Sequence, residues 1–192
     1  KPTGTTKRFY QYLHNRGFHD PAALIKQHNL KCCSMGRWKD RIIIPIHHDQ
    51  KLIAWTARAI QKSTEAPRYL STSQAIKTTI FNYDELLKGG DTLIVTEGPF
   101  DALKVDFYGA SEGARATCVF GTSITIDQIS LIRKISRNFY RTILLLDKDA
   151  VEVSFTTMDW LPNVIMGTLP VGVKDPGDLI SSEVVQMLKA LT

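Results

Sequence analysis

The sequence predicts an α/β protein, with a basic α+β subdomain at residues 1–90 followed by a βαβ domain with a mainly parallel sheet at residues 91–192. After residue 90, short apolar runs alternate with helical segments, a pattern typical of parallel strands buried on both faces. The charge also changes there. Lysine and arginine outnumber aspartate and glutamate by 15 to 6 in residues 1–90, but are outnumbered by 9 to 13 afterwards. Gly89-Gly90 marks the boundary between the two parts.

The composition is that of an ordinary globular protein, with 43% hydrophobic and 22% charged residues. No apolar run approaches the length of a membrane span, so we expect no membrane partner. Cys32, Cys33 and Cys118 are odd in number, and two of them are adjacent. This pattern argues against a disulfide framework and predicts a reducing, intracellular compartment.

The first ninety residues are predicted to form two helices, a hairpin and a polar flap. Asp20-Pro21 is a helix start signal, because aspartate is a favoured N-cap and proline fits the first helical position. Two β-branched runs on either side of a short turn predict the hairpin. In chain order, the predicted elements are a helix capped by Thr5-Thr6 and running to Asn15, a helix from Pro21, strands Ile42–Ile46 and Lys51–Ile60, a flap at 61–79, a short strand Ile80–Asn82 and a helix Tyr83–Lys88.

The second part follows a regular strand and helix alternation, which predicts βαβ units. Pro99 stands at a helix start and Gly121 in a turn between two elements. The segment Lys148–Leu161 is predicted to be partly helical. The other predicted elements are strands Thr92–Thr96, Ala116–Phe120, Thr142–Leu146 and Val164–Leu169, with helices Pro99–Tyr108, Ile126–Ile135 and Ser181–Leu191.

Carboxylates gather where the predicted parallel strands end. Glu97 closes one strand, and Asp147 and Asp149 follow another as a D-x-D, whose two side chains point to the same side of an extended chain. In open parallel sheets the functional groups collect at this edge. Three more carboxylates lie in a helix first turn and a strand-following loop: Asp101, Asp175 and Asp178.

Such crowding of negative charge is unfavourable unless cations neutralise it. Oxygen ligands select hard ions, so the set predicts Mg²⁺ or Mn²⁺, and a pair of these ions is the usual arrangement for phosphoryl transfer. Each acid taken alone also has a structural explanation: Asp101 complements a helix dipole, Asp178 caps the last helix region, and Asp147 is solvated. The metal hypothesis depends on the set as a whole.

Residues 93–178 resemble a Toprim domain, the metal-binding module of primases, topoisomerases and some nucleases. The matching pieces are TEGPFDAL, the FGTS turn and LLLDKDA. In the first part, DRIIIPI, LIAWTARAI, RYLSTS and IFNYDELL resemble the RNA-polymerase core of bacterial and phage primases, as does the later KDPGDL. The chain is therefore similar to a DnaG-type primase catalytic core over roughly residues 38–180.

The resemblance implies a role for each matching residue. Glu97 would be the general acid or base or a metal ligand, Asp147 and Asp149 would bind the catalytic metals, and Lys174 would hold a triphosphate. The implied metal set is completed by Asp101, Asp175 and Asp178. The residues expected to contact nucleotide phosphates or the template are Arg41, Arg58, Lys62 and Arg68.

The activity implied by the resemblance is RNA primer synthesis on single-stranded DNA during DNA replication, by two-metal nucleotidyl transfer from ribonucleoside triphosphates. The implied partners are a replicative helicase, or a separate or removed zinc-binding domain. Two alternatives stay open, a Toprim nuclease and a non-catalytic Toprim module that binds nucleic acid or a partner protein. The basic hairpin favours polymerisation over cleavage, and the complete acid set argues against a non-catalytic module.

The chain departs from the family pattern in two places. VEVSF follows the D-x-D where the family has a small residue, and Asn82-Tyr83-Asp84 replaces the basic residue that often follows the IF motif. The compact core and the divergent segment favour a phage or other mobile-element origin. The resemblance therefore implies a cytoplasmic location in a bacterial cell or a phage-infected host.

Overall fold

A computed structural model describes residues 4–61, 66–146, 161 and 164–191. The chain packs as two compact units: the first holds residues 1–46 and 52–76, and the second holds residues 47–51 and 77–192. Residues 77–89, which the sequence analysis assigned to the basic subdomain, thus pack with the second unit. The subdomain boundary at Gly89-Gly90 stays a prediction.

The first part of the chain contains helices and an antiparallel sheet in the strand order β1-β2-β3-β4. The predicted hairpin is confirmed. Its strands are joined by Asp49 and Gln50, which both have positive φ, a conformation that matches the twist of a two-residue hairpin turn. The elements are α1 (Lys7–Asn15), α2 (Pro21–Gln27), β1 (Lys31–Cys33), β2 (Arg41–His48), β3 (Lys51–Ala59) and β4 (Tyr69–Ser71).

The second unit is built on a parallel sheet in the order β6-β5-β7-β8, so the predicted α/β class with a parallel sheet is confirmed. β5 lies between two neighbours, which explains its continuous apolar run. The elements are α3 (Tyr83–Leu86), β5 (Gly90–Thr96), α4 (Pro99–Gly109), β6 (Ala114–Cys118), α5 (Ile126–Ser136), β7 (Phe139–Leu144), β8 (Val164–Met166) and α6 (Ser181–Ala190).

Both faces of the parallel sheet are covered. Leu93 and Val95 of β5 pack in one core cluster with Ile132 and Ile135 of α5, while Ile94, between them, is also fully buried. Helix α4 packs against β6, β5 and α6. Full burial of one such apolar side chain stabilises the fold by about 1.5–3 kcal/mol. The core therefore fixes the carboxyl end of β5, where Glu97 follows.

Two sequence-predicted elements differ from the structure. Residues 80–82 are not a strand, because Asn82 adopts a left-handed conformation (φ +65°) and acts as the N-cap of α3. The flap at 61–79 contains the short strand β4 and a 3-10 turn, Gln74–Thr78, which its polar composition concealed. The predicted helix within Lys148–Leu161 lies almost entirely outside the described residues. No helix of the described ranges has both the length and the apolar character needed to cross a membrane.

Candidate metal centre and nucleic-acid contacts

Glu97 follows β5 directly, and its residue is only 8% exposed. Its backbone carbonyl accepts a hydrogen bond from the Gly121 amide at 3.0 Å. One step earlier, the Thr96 carbonyl accepts from the Val119 amide at 3.2 Å. The chain that leaves β6 thus stays bonded to the end of β5, so the FGTS turn and Glu97 lie together, as expected for elements at one edge of a parallel sheet.

Asp101 lies in the first turn of α4, where a negative charge complements the helix dipole. Its Oδ1 accepts a hydrogen bond from the Gly177 amide at 3.0 Å, and this bond joins α4 to the 3-10 turn Pro176–Asp178. A Cβ at Gly98 would lie 2.5 Å from Asp101 Oδ2, closer than side chains tolerate. The TEGPFD and KDPGDL motifs therefore meet. Because Gly98 has no Cβ, it leaves room for the Asp101 carboxylate that joins them.

Asp175 contributes a second feature of this edge. Its Oδ1 is buried and has no hydrogen-bond partner among the described residues. A buried carboxylate oxygen without a partner is unfavourable unless a cation or proton satisfies it, which fits a hard divalent ion. Lys174 and Asp178, its neighbours in the loop, are exposed.

The described residues alone do not form a complete metal site, because no three of their histidine, cysteine, aspartate or glutamate side chains converge on one point. Asp147 and Asp149 lie outside the described residues. The described range that contains β7 ends at Leu146, and the Leu145 amide before it donates to the Val95 carbonyl at 2.8 Å. In sequence, the D-x-D therefore follows the strand that neighbours β5. The carboxylate donor set fits a hard cation, and the assignment of the individual ligands stays a prediction.

Arg41 is buried, with 4% of its residue exposed, and its guanidinium is engaged by backbone carbonyls. It donates to the carbonyls of Ala57 at 3.1 Å, Pro67 at 2.9 Å and Arg68 at 3.5 Å. Burial lowers the pKa of this guanidinium. The side chain joins β3 to the segment that leads into β4. These carbonyls already occupy N–H donors of Arg41, so its predicted contact with nucleotide phosphates would need other donors of the guanidinium.

Arg58 is also largely buried, and it contacts two tyrosines. Its Nε donates to the Tyr12 hydroxyl at 3.0 Å, and its Cζ lies 4.9 Å from the centroid of the Tyr69 ring. Burial opposes the charged form of Arg58, but the two tyrosines outweigh this effect and raise its pKa. Arg68 is exposed, and Lys62 lies outside the described residues. Among the three described arginines that were predicted to contact phosphates, Arg68 is thus the one most accessible to solvent and to a polyanion.

Sequence reasoning did not assign Lys77 to the site, although the predicted flap at 61–79 contains this residue. Lys77 Nζ donates to the carbonyls of Val119 at 3.2 Å, just before the FGTS turn, and of Ser123 at 3.0 Å, the last residue of that turn. No periodicity or motif spacing signals this contact, because the two segments are more than forty residues apart in sequence.

Comparisons with known proteins agree with this architecture. No protein-family model matches the sequence. The chain is 26% identical over 142 residues to a DNA primase of Clostridium acetobutylicum, in an alignment that covers 67% of this chain and 22% of that protein. The chain thus corresponds to about a fifth of the length of this curated relative.

Two solved structures share the fold. The DnaG primase catalytic domain bound to ssDNA matches 98% of this chain and 74% of its own, with a TM-score of 0.69 and 21% identity. The primase fragment of the bacteriophage T7 primase-helicase protein matches 87% of this chain and 67% of its own, with a TM-score of 0.68 and 16% identity. The expected similarity to a primase core is confirmed.

Proposed function

We propose that this chain, which has the fold of a DnaG-type primase catalytic core, synthesises short RNA primers on a single-stranded DNA template. The observation that carries the proposal is the placement of Glu97, Asp101 and the KDPGDL loop at one edge of the parallel sheet. The fold alone does not imply an activity, but a fold with acids at this edge supports metal-assisted phosphoryl transfer.

The acids are proposed to hold two divalent ions, Mg²⁺ or Mn²⁺. Glu97, Asp147 and Asp149 would be the principal ligands, and Asp101, Asp175 and Asp178 would support them. When bound, the ions would favour ionisation of a ribonucleotide 3′-hydroxyl and neutralise charge on the transferred phosphate. The orphan Oδ1 of Asp175 and the low exposure of Glu97 support this assignment, because both are acids partly withdrawn from water.

The protein's own groups would position the reactants. Glu97, held at the end of β5 through its backbone, would accept the proton of the attacking hydroxyl or ligate a metal. Exposed Lys174, next to Asp175 in sequence, would bind the triphosphate as a point charge. Asp101 would fix the loop that carries Lys174, since its carboxylate already accepts the Gly177 amide.

The template is proposed to bind the basic part of the chain. Arg58, Lys62 and Arg68 would contact phosphates, while Arg41 would organise the segment that carries Arg68 through its carbonyl contacts. Such contacts make binding to single-stranded DNA fall steeply with added salt. A replicative helicase or a zinc-binding domain is the proposed partner that would direct template choice.

The decisive experiment incubates the protein with mixed-sequence single-stranded DNA, labelled ribonucleoside triphosphates and Mg²⁺ or Mn²⁺, and resolves the products on a sequencing gel. We expect short oligoribonucleotides from the wild type and a loss of at least about 100-fold for Glu97→Gln. Glu85→Gln is the matched control, because Glu85 is exposed and its carboxylate pairs with an exposed lysine, Lys88, at 2.6 Å.

Other outcomes identify the alternatives. Shortened DNA in place of RNA products would identify a nuclease. A protein that binds DNA but forms no product with Mg²⁺ or Mn²⁺, even when a helicase and a zinc-binding domain are added, would be a non-catalytic binding module. Equal activity of Glu97→Gln and Glu85→Gln would remove Glu97 from the site.

A further inference from the structure

Lys77, a residue of the second unit, contacts the connection between β6 and α5 of the same unit. Its half-buried ammonium donates to the carbonyls of Val119 at 3.2 Å and Ser123 at 3.0 Å. Its own carbonyl accepts from the Thr125 hydroxyl at 2.7 Å, and Thr125 is the N-cap of α5. The side chain and the backbone of Lys77 are therefore both bonded to this connection, and the ammonium joins its two ends.

The connection that Lys77 braces has an unusual backbone. Phe120 has a φ of +59° and Gly121 a φ of +132°. A left-handed conformation at a bulky residue such as phenylalanine costs about 1–3 kcal/mol and persists only where the surroundings enforce it. A Cβ at Gly121 would lie 3.7 Å from Lys77 Nζ, so the ammonium rests against the turn. The charge-assisted hydrogen bonds of Lys77 are thus placed to enforce this conformation.

The braced turn is the one that contacts Glu97. The Gly121 amide donates to the Glu97 carbonyl at 3.0 Å, and the Val119 amide donates to the Thr96 carbonyl at 3.2 Å. Between the two amides stands the strained Phe120. If the turn relaxed, the Gly121 amide would move away from Glu97 first, because the Val119 carbonyl keeps a second donor, Gln128 Nε2, at 3.0 Å.

We propose that Lys77 is a positioning residue for Glu97: its ammonium holds the Val119–Ser123 turn, and the turn's Gly121 amide holds the backbone that carries the Glu97 carboxylate. The assignment goes beyond the overall similarity to primases, because it concerns a lysine of the flap segment with no role in the motif resemblance. Its kinetic part rests on the proposed function, in which Glu97 serves primer synthesis.

The first test does not depend on activity. Amide hydrogen exchange at Gly121, followed by NMR, is compared in the wild type, Lys77→Met and Lys88→Met, the last a control that removes one exposed lysine of the same unit. Losing charge-assisted hydrogen bonds predicts exchange at Gly121 that is at least about tenfold faster in Lys77→Met and unchanged in Lys88→Met. Unchanged exchange in folded Lys77→Met overturns the proposal. If Lys77→Met does not fold, Lys77→Gln, which keeps one donor group, takes its place with the same expectation.

The second test separates positioning from direct contact with substrate. Primer synthesis is measured against ribonucleotide concentration for the same variants and for Lys77→Arg. We expect Lys77→Met to lower kcat about tenfold or more with KM changed less than about twofold, and Lys77→Arg to recover part of the loss. A rise in KM at unchanged kcat would mean that Lys77 contacts the nucleotide and would overturn the positioning role. A wild type that makes no primers would sink the proposed function, but the exchange result would still decide the role of the lysine.

Discussion

The buried ion pair between Asp106 and Arg115 provides a quantitative test of how α4 is fixed to the sheet. Asp106 on α4 is fully buried, and its Oδ1 accepts from Arg115 Nε at 2.8 Å and from the Ala116 amide at 3.0 Å. Its Oδ2 lies 3.4 Å from Arg115 Nη2. The carboxylate thus holds both the side chain and the backbone of β6. Because α4 also carries Asp101 in its first turn, this pair helps set one wall of the candidate site.

Asp106→Asn removes the charge while keeping the shape and one acceptor for the Ala116 amide. Breaking a buried pair typically costs about 3–5 kcal/mol, because the remaining charge is left buried without a counterion. Here the Arg115 side chain is 22% exposed and can recruit some water, so the lower limit applies. We expect the free energy of unfolding to fall by about 3 kcal/mol, which corresponds to a decrease in Tm of about 6–12 °C for a chain of this size.

Urea unfolding followed by circular dichroism measures the change, and a double-mutant cycle with Arg115→Gln isolates the pair. The single change Arg115→Gln should cost at least as much as Asp106→Asn, because it leaves a fully buried carboxylate. The double variant should lose less than the sum of the two. A loss below about 1 kcal/mol for Asp106→Asn, or strict additivity in the cycle, would refute the view that this pair anchors α4.

Two further predictions concern the same unit. Gly98→Ala should lower the free energy of unfolding by about 1 kcal/mol, because its Cβ would push Asp101 off the Gly177 amide; in an Asp101→Ala background, the same change should cost nothing, as urea unfolding can check. Burial raises the pKa of the Cys118 thiol well above 9.0. The unfolded chain then releases this proton at a lower pH than the folded chain, so the free energy of unfolding should decline as the pH rises above about 9. For this group the decline is at most about 1.4 kcal/mol per pH unit. Thermal melts of Cys118→Ala should show a smaller decline over the same pH range.

The elements that sequence reasoning predicted well are those whose local pattern and tertiary role agree. Strand β5 is a β-branched run because both of its faces are buried. Helix α5 begins directly after its N-cap, Thr125, because Thr125 and Gln128 form a capping box. The short strands β1 and β4 escaped prediction, because three residues at the edges of an antiparallel sheet carry no alternation of their own. At residues 80–82, the apolar pair is buried, but the left-handed backbone of Asn82 starts a helix instead of extending a strand.

In the candidate site, sequence predicts the positions of the acids better than those of the basic residues. Glu97 and Asp101 could be located from sequence, because strand ends and helix first turns have fixed positions in a βαβ unit. The basic residues could not, since charge alone does not tell whether a side chain reaches solvent. Arg41 donates hydrogen bonds to three backbone carbonyls, and Lys77 to two others. A buried cation is stabilised by carbonyls from distant segments, and only the folded chain brings those carbonyls together.

Buried and exposed basic residues should respond differently to substitution. A cation whose donors are occupied by backbone carbonyls acts on local structure, so its loss should change amide exchange and stability more than the salt dependence of DNA binding. A cation that lies in solvent, as Arg68 does, should do the reverse, because each phosphate contact contributes to counterion release. The total of 24 lysines and arginines therefore overstates the number of cations that a polyanion can reach. These lysines and arginines divide into cations that stabilise the fold and cations that lie in solvent.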